Sequence, residues 1–468
     1  MSTFGGILSI ARSAINAHQT AIQVISHNVA NAETPGYSRQ RVALQENWPA
    51  RLPQGILGTG VFVRDVTQVR DSLLDVSYRR DSSSAAGFGL RRDLLGQIEQ
   101  VFHEPSEDGL AATLDAFWNS WSDLANAPDN PAARQVVLQR GAQVAAGLNA
   151  QATRLDEVKA DTVAKLNRSV GLINDYASQV AQLNGQIVIA ESGGQTASDL
   201  RDSRNRIIDD MSKLASLQVI EGRDGGVAVI VSNQTLVDGT AAKQLAFSGN
   251  PPSLQLNFKG SADAIPAVGG ELSALTEVLN RDLVQTRARL DDLARGVVSA
   301  VNDIHRQGWS PAAEPTPPEP VGWAGSNVDF FTGTDAASIS VSAAVAADRD
   351  MVAAGSVFGG SGDNTIALRL GQLRDSAVAV GSPPSTLSLA NHYRDTVTTL
   401  ALDTNAATNA SLVHETLASQ SDTRRQSVSG VSTDEELVQL MRSQQAYVAA
   451  TRLISAVDEM AQALLNMV

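Results

Sequence analysis

FGGILSIARSAINAHQTAIQVISHNVANAETPGYSRQ, residues 4–40, holds two kinds of order in succession. Over residues 4–29, apolar side chains recur in columns seven apart: Phe4, Ala11, His18, Ile25; Leu8, Ile15, Ile22, Val29; Ile7, Ala14, Ala21, Asn28. Three such columns form one face of an α-helix, opposite Ser9, Arg12, Asn16, Gln19 and Gln23. The stripe then gives way to an Asn-rich run and Thr34-Pro35-Gly36-Tyr37. Asn28 and Asn31 suit backbone groups left over at a helix end. Thr34, preceding a proline, is biased to an extended form, and Pro35-Gly36 suits the centre of a type II turn. Tyr37 then opens an extended segment and is expected to dock against the helix. The stretch therefore predicts a long amphipathic helix, a sharp exit and a strand leading away from it.

The other end of the chain repeats the device. Thr433 opens a helix with Glu436 three residues on, the spacing of a capping box, and Asp434 and Glu435 add negative charge where the helix dipole favours it. The columns here are Leu440, Tyr447, Ile454, Ala461, Val468; Ala446, Leu453, Met460, Met467; and Ala450, Val457, Leu464. A striped helix has to bury its stripe, and two of them can bury stripes against each other. Three columns are wider than a simple pair requires: either the pair is a hairpin closing one globular domain, or its leftover apolar face packs against other subunits, as an exposed stripe of this size normally does. The expected assembly residues are Phe4, Leu8, Ile15, Ile22 and Val29 on the first helix and Leu440, Tyr447, Ile454, Val457 and Leu464 on the last.

Between these ends the period changes several times. Residues 37–69 read as extended, with Val61, Val63 and either Val66 or Val69 on one path. Long helices are expected over about 71–101, 109–126, 131–190 with a possible break, and 198–216, the third opened by Asn130-Pro131. A β unit of four or five strands follows to about residue 259, with a hairpin at Asp224-Gly225-Gly226. Residues 271–307 return to helix, 310–320 form a Pro-rich loop, 330–380 short mixed elements, and 386–422 a further helix that RRQSVSGVS breaks. The fold class is mainly α with a small β part, nested. Residues 1–70 with 423–468 form a terminal assembly unit, 71–216 with 271–307 and 386–422 a helical bundle, 217–262 a β subdomain, and 308–385 loops and short elements.

Composition narrows the function classes. The chain has 468 residues, 43% hydrophobic but only 4% aromatic, which favours Ala-packed helices over a compact aromatic core. A net charge of −14 leaves no basis for nucleic-acid binding, and no run is long and apolar enough for membrane insertion. The Arg pairs at 79–80, 91–92 and 424–425 read as solvated helix positions. There is no Cys, the six His lack zinc spacing, and no phosphate-binding or nucleophile-elbow motif occurs, so no metal, cofactor or catalytic residue is assigned. Glu99 with Glu104, or Glu107 with Asp108, would be the acid and base of a glycan hydrolase. Surface solvation is the simpler reading. The N-terminus lacks the pattern of a cleaved signal peptide.

ISHNVANAETPGYSRQRV resembles the N-terminal signature of bacterial flagellar axial proteins, shared by rod, hook and hook-associated members. VFHEPSEDGLAATLDAFWNSWSDLANAPDNPAARQVVLQRGAQVAAGLN and DLRDSRNRIIDDMSKLASLQV are similar to the hook-associated protein 1 branch, and the last helix is similar to that of the whole axial family. The resemblance implies a non-enzymatic structural subunit whose terminal helices line a tubular assembly. Its implied partners are further copies of itself, the hook protein, a second junction protein and an export chaperone on the C-terminal helix. Its implied place is outside the cell, at the hook–filament junction, after export without a cleaved signal. Members often carry an outer β domain after the Pro-rich loop; here VDFFTGTDAASISVSAAVAADRD has too few strand signals, so that domain is expected to be reduced or absent. The rival readings are a rod or hook subunit, an exported glycan hydrolase on an axial scaffold, and a coiled-coil scaffold unrelated to flagella.

Overall fold

The computed structural model describes residues 2–52, 55–266, 268–312, 325–360, 362–381 and 385–466. Most of the Pro-rich loop lies outside them. Helix α1 (Ser2–Ala30) leads into a β-ribbon in which β1 (Gln40–Glu46) pairs antiparallel with β4 (Val61–Gln68), and β2 (Ala50–Leu52) pairs with β3 (Gly55–Leu57) at its far end. A bulge between Ala43 and Leu44 shifts the register, so that Val63 faces Leu44 while Val66 faces Val42. Val61, Val63 and Val66 are half-buried beneath α1, as their spacing implies.

The bundle follows: α2 (Ser72–Phe102), α3 (Leu110–Asn126), α4 (Pro131–Glu191) and α5 (Ser198–Leu214). The Asp71 carboxylate accepts from the Leu73 N–H, and Asn130 Oδ1 from the Ala132 N–H, so both helices start at a capping side chain. α4 is unbroken over 61 residues, roughly 90 Å. No break interrupts it, because Val137, Gly141, Val144, Leu148, Ala152, Leu155, Leu166, Val170, Ile173, Ala177 and Val180 keep one buried row along its length. The β unit comprises β5 (Leu217–Glu221), β6 (Val227–Val231), β7 (Gln234–Asp238) and β8 (Ala241–Ala242) in one antiparallel sheet. Beside it stands the hairpin of β9 (Leu245–Ser248) and β10 (Gln255–Phe258). The β5–β6 turn holds Asp224-Gly225-Gly226, the expected hairpin.

Helix α6 (Gly270–Glu277) runs through a π turn (Val278–Asp282) into α7 (Leu283–His305). The short elements are β11 (Phe331–Thr332), β12 (Ser340–Val341), α8 (Ala343–Ala347), a 3-10 turn (Arg349–Met351), α9 (Thr365–Gln372), β13 (Val378–Val380) and β14 (Ser385–Leu387). They are bolted to the bundle by side-chain amides. Asn302 bonds the backbone of Phe330 and Phe331, Asn149 bonds Ala336 and Ile339, and Asn364 bonds Ala125.

Helices α10 (Leu389–Ser429) and α11 (Thr433–Leu465) complete the chain. The expected break at RRQSVSGVS is narrower than its sequence implies. Arg424 to Ser429 stay helical and only residues 430–432 depart, because α10 lies along α2 down to its last turns. The aromatic content also misleads. Five of the twenty Phe, Trp and Tyr are gathered at one point, where Phe117, Trp118, Trp121, Phe330 and Phe331 are all buried with ring centroids 4.8–6.2 Å apart. The fold is mainly α with a small β part, its two chain ends paired.

Candidate assembly site

α1 and α11 run antiparallel, the last turn of α1 meeting the first turn of α11. Their shared seam mixes alanines with a few larger residues. Ala11, Ala17 and Ile25 are buried on α1, and Ala450 and Val457 on α11. Ala14, Ala21, Leu440, Tyr447, Ile454 and Ala461 are half-buried beside them. Along α11 the covered positions 440, 447, 450, 454, 457 and 461 keep coiled-coil spacing.

The larger apolar column of α1 sits on the flank. Leu8 is 39% exposed, and Ile15, Ile22 and Val29 are half-buried. Ile7, Ile10, Leu437, Val438, Met441, Val448, Leu453 and Met460 are exposed. The side chains of Phe4 and Leu464, and residues Met467 and Val468, lie outside the described residues. The pair thus closes on alanines and leaves its bulkier side chains outward. Alanine columns permit close approach, so the inward face is the one with the least side-chain volume.

A buried polar knot joins this pair to the bundle. Asn28 is 1% exposed and uses its full hydrogen-bonding capacity. Its Nδ2 donates to the Gln40 carbonyl and to Glu436 Oε2, both at 2.9 Å. Its Oδ1 accepts from the Gln40 N–H at 2.9 Å and the Tyr37 hydroxyl at 2.8 Å. The sequence places Asn28 at a helix end, satisfying backbone there; in the fold its side chain crosses instead to the first strand and the last helix. Glu436 is likewise not turned back as a capping box. The Ser432 hydroxyl accepts from the Glu435 N–H (3.5 Å), which frees Glu436 to take Asn28 and Arg39 Nε, the latter at 2.6 Å. Arg39 also donates to Glu435 (2.9 Å), and its backbone N–H donates to the Ser429 carbonyl. Four segments, the ends of α1 and α10 and the starts of β1 and α11, meet on these three side chains.

The exit turn has the form its sequence implies. The Tyr37 N–H donates to the Thr34 carbonyl at 3.2 Å, and Gly36 has φ +76°, the left-handed position of a type II turn. Asn31 bonds back to the His27 carbonyl and accepts from the Thr34 hydroxyl. Tyr37 packs edge-on against His27, and its hydroxyl accepts from His27 Nδ1 while donating to Asn28. Burial, with the charges of Asp199, Asp202 and Glu436, holds the Tyr37 phenol above its ordinary range, so it stays a donor. A Cβ on Gly36 would sit 2.3 Å from Cγ of Arg206. Gly36→Val is therefore expected to displace the turn at a cost of about 1–3 kcal/mol. Thermal denaturation monitored on the terminal helices checks this.

Below the knot a chain of ion pairs fixes the connector to the bundle. Asp202 accepts from the backbone and hydroxyl of Ser38, and burial raises its pKa against the opposing influence of Ser38 and Arg70. Arg70 grips Asp75 with two hydrogen bonds. Asp209 receives both Arg79 and Arg425, and the Arg425 guanidinium stacks 3.7 Å over Tyr78. This corrects the reading of the Arg pairs as solvated. Arg80 and Arg424 face outward, but Arg79 is buried and Arg425 half-buried. Their acidic partner lies 130 and 216 residues away, beyond any local pattern.

Glu104, the acid of the hydrolase reading, accepts from the Ala111 N–H at the start of α3, a capping role. Among the described residues no group of three or more His, Asp or Glu is placed to hold a metal, and no helix is long and apolar enough to cross a membrane.

Family models match three stretches. Residues 95–315 match the flagellar hook-associated protein FlgK helical domain. Residues 424–467 match the C-terminal model of flagellar basal body rod FlgEFG proteins, and residues 8–37 the flagella basal body rod protein model. Flagellar hook-associated protein 1 of Bacillus subtilis is 29% identical over 520 aligned positions, covering 99% of this chain and 98% of its own. The Salmonella typhimurium protein of that name is 29% identical over 320, covering 65% of this chain and 57% of its own. A solved structure, the flagellar hook junction protein FlgK from Burkholderia pseudomallei, shares the fold at TM-score 0.63 and 17% identity over 76% of this chain and 100% of that one. The rod models match only the two ends, residues 8–37 and 424–467; the helical-domain match between them, with the end-to-end alignment to the Bacillus relative, separates the branches, and the chain belongs to the flagellar hook-associated protein 1 family.

Proposed function

We propose that the chain is a structural subunit of the bacterial flagellum, an adaptor at the hook–filament junction that assembles through α1 and α11. The observation that carries this is the paired ends. Two helices from opposite termini close on an alanine seam and hold Leu8, Val448, Leu453 and Met460 outward, where other subunits can cover them. Each large apolar side chain covered on assembly contributes about 1.5–3 kcal/mol, repeated in every subunit of a tube. The knot at Asn28, Arg39 and Glu436 holds that pair to the bundle, so load on one passes to the other.

The finer assignments rest on the resemblance and on this exposed face. The hook protein and a second junction protein are the neighbours on either side. An export chaperone covers the apolar row of α11 before assembly, and the site of action is extracellular. The role is non-catalytic. The rod and hook alternatives lose ground to the helical-domain match at residues 95–315.

Removing residues 1–30 is expected to leave the bundle's helical circular dichroism and its thermal transition in place while binding to purified hook ends is lost. Junctions formed normally by the truncated chain, seen by electron microscopy, would refute the reading.

A further inference from the structure

Trp48 is 92% exposed, in a chain with only five Trp. It stands between β1 and β2, near the far end of the ribbon, and it is not on a loose loop. The Thr59 hydroxyl donates to the Trp48 carbonyl at 2.7 Å, and the Asn47 N–H to the Gly60 carbonyl at 2.9 Å. Gly60, at φ +106°, lies so close to α1 that a Cβ would be 2.2 Å from the Ser13 hydroxyl and 3.3 Å from Cα of Ile10. The Val61 N–H donates to that hydroxyl. The ribbon is thereby seated on α1, with Trp48 held out from it. Leu44, Leu57 and Phe62 on the ribbon are exposed as well, and so are Ile7 and Ile10 on the adjoining helix. Exposed apolar side chains on a fixed support mark a docking surface, and Trp is among the residue types enriched at the centre of one.

The level of this patch along the helix pair points to its occupant. The Asn28–Glu436 bond fixes the antiparallel register. Two heptads from there, Ala14 on α1 lies at the level of Ala450 on α11. Ser13 and Ile10 therefore sit roughly 22–27 Å from the knot, beside the stretch of α11 from residue 450 to 454. That stretch carries Leu453, which shares an outward edge of α11 with Met460 one heptad on, and both are exposed in the isolated chain. The edge spans roughly 10 Å, which tolerates an axial offset between neighbours, and a methionine thioether suits an aromatic ring. The ribbon patch also runs on into the α1 flank of the assembly site.

We propose that the ribbon tip docks on a second copy of this chain, with Trp48 seated on the Leu453–Met460 edge of the neighbour's α11. This rests on the reading of the chain as an assembling subunit. The contact would lock adjacent subunits sideways, and the α1–α11 seam alone does not supply that contact.

The absence of cysteine makes the test direct. Trp48→Cys and Leu453→Cys chains are mixed, assembled on purified hooks and treated with a short bismaleimide. A cross-linked dimer of the two chains is expected on hooks and not in the free mixture. Trp48→Ala is expected to keep the monomer's melting temperature, since the side chain touches so little, and to lower junction occupancy on hooks at least tenfold. Assembly of the wild type with no such cross-link, or with Trp48→Cys linked only to hook subunits, overturns this contact and leaves the junction role standing. Failure of the wild type to assemble on hooks overturns both.

Discussion

Glu436→Ala is expected to release the terminal helices from the bundle while the bundle stays folded. The Glu436 carboxylate is the partner of Arg39 Nε at 2.6 Å and of Asn28 Nδ2 at 2.9 Å, with both of those residues buried. Its loss leaves Arg39, 8% exposed, with only Glu435, whose side chain is 64% exposed and screened by water. An uncompensated buried guanidinium costs about 3–5 kcal/mol. The terminal pair has little to repay that with, because its seam is rich in alanine and much of its apolar surface faces outward. Hydrogen exchange reads the result. Amides of residues 2–30 and 433–465 should exchange about a hundredfold faster or more, and those of α4 should not change. Glu436→Gln keeps an acceptor and should fall between the two. Equal protection of the helices in wild type and Glu436→Ala would show that the knot does not hold them.

Little of this knot is legible in the sequence, although the helices that carry it are. A stripe of period seven sustained over four repeats fits an amphipathic helix and little else. The turn at Pro35-Gly36 and the hairpin at Asp224-Gly225 are equally legible, because one residue type alone tolerates the backbone there. What the columns do not carry is which of three faces inward. Size points to Leu8, Ile15, Ile22 and Val29, and the chain instead turns in Ala11, Ala17, Ile25 and Asn28, because two backbones come closest over small side chains. The one local sign is Asn28 itself, a polar residue closing an otherwise apolar column. Glu436 and Arg39 give none. They are separated by 397 residues, and each alone reads as an ordinary surface charge. The short elements after the Pro-rich loop are legible only as short. That Phe330 and Phe331 complete a core begun by Phe117 and Trp121 depends on pairing across more than 200 residues.

The same aromatic core makes stability depend on pH through one group. His305 is fully buried beside Trp121 and Phe330. Its Nδ1–H donates to the Val328 carbonyl at 2.7 Å, and its Nε2 accepts from the Ala353 N–H at 3.0 Å. That arrangement needs the neutral ring, since the imidazolium has no acceptor to offer Ala353. Burial pushes its pKa from 6.5 down to about 4, against the weaker raising influence of Val328 and Asp329. The unfolded chain therefore binds a proton between pH 6.5 and 4 that the folded chain refuses, and stability rises with pH across that window. The contribution is full above about pH 6.5 and lost as pH falls through 4, a change of about 3 kcal/mol. Glu191, held low by Arg201, acts at the acid end of this range and below it, whereas Asp202 and Glu271, raised by burial, favour the folded chain as the pH falls and oppose the imidazole, so the comparison with a His305 variant isolates the ring. Urea titrations at pH 7 and pH 5, followed by the emission of the buried Trp118 and Trp121, should show the wild type losing stability on acidification. In His305→Gln the side chain keeps one hydrogen bond and has no proton to take, so its absolute stability drops at both values while the difference between them shrinks. A wild type and variant with the same dependence between pH 7 and 5 would mean that the ring is already free to ionise in the folded chain, and that the Val328 and Ala353 contacts are not what hold residues 328–353 on the bundle.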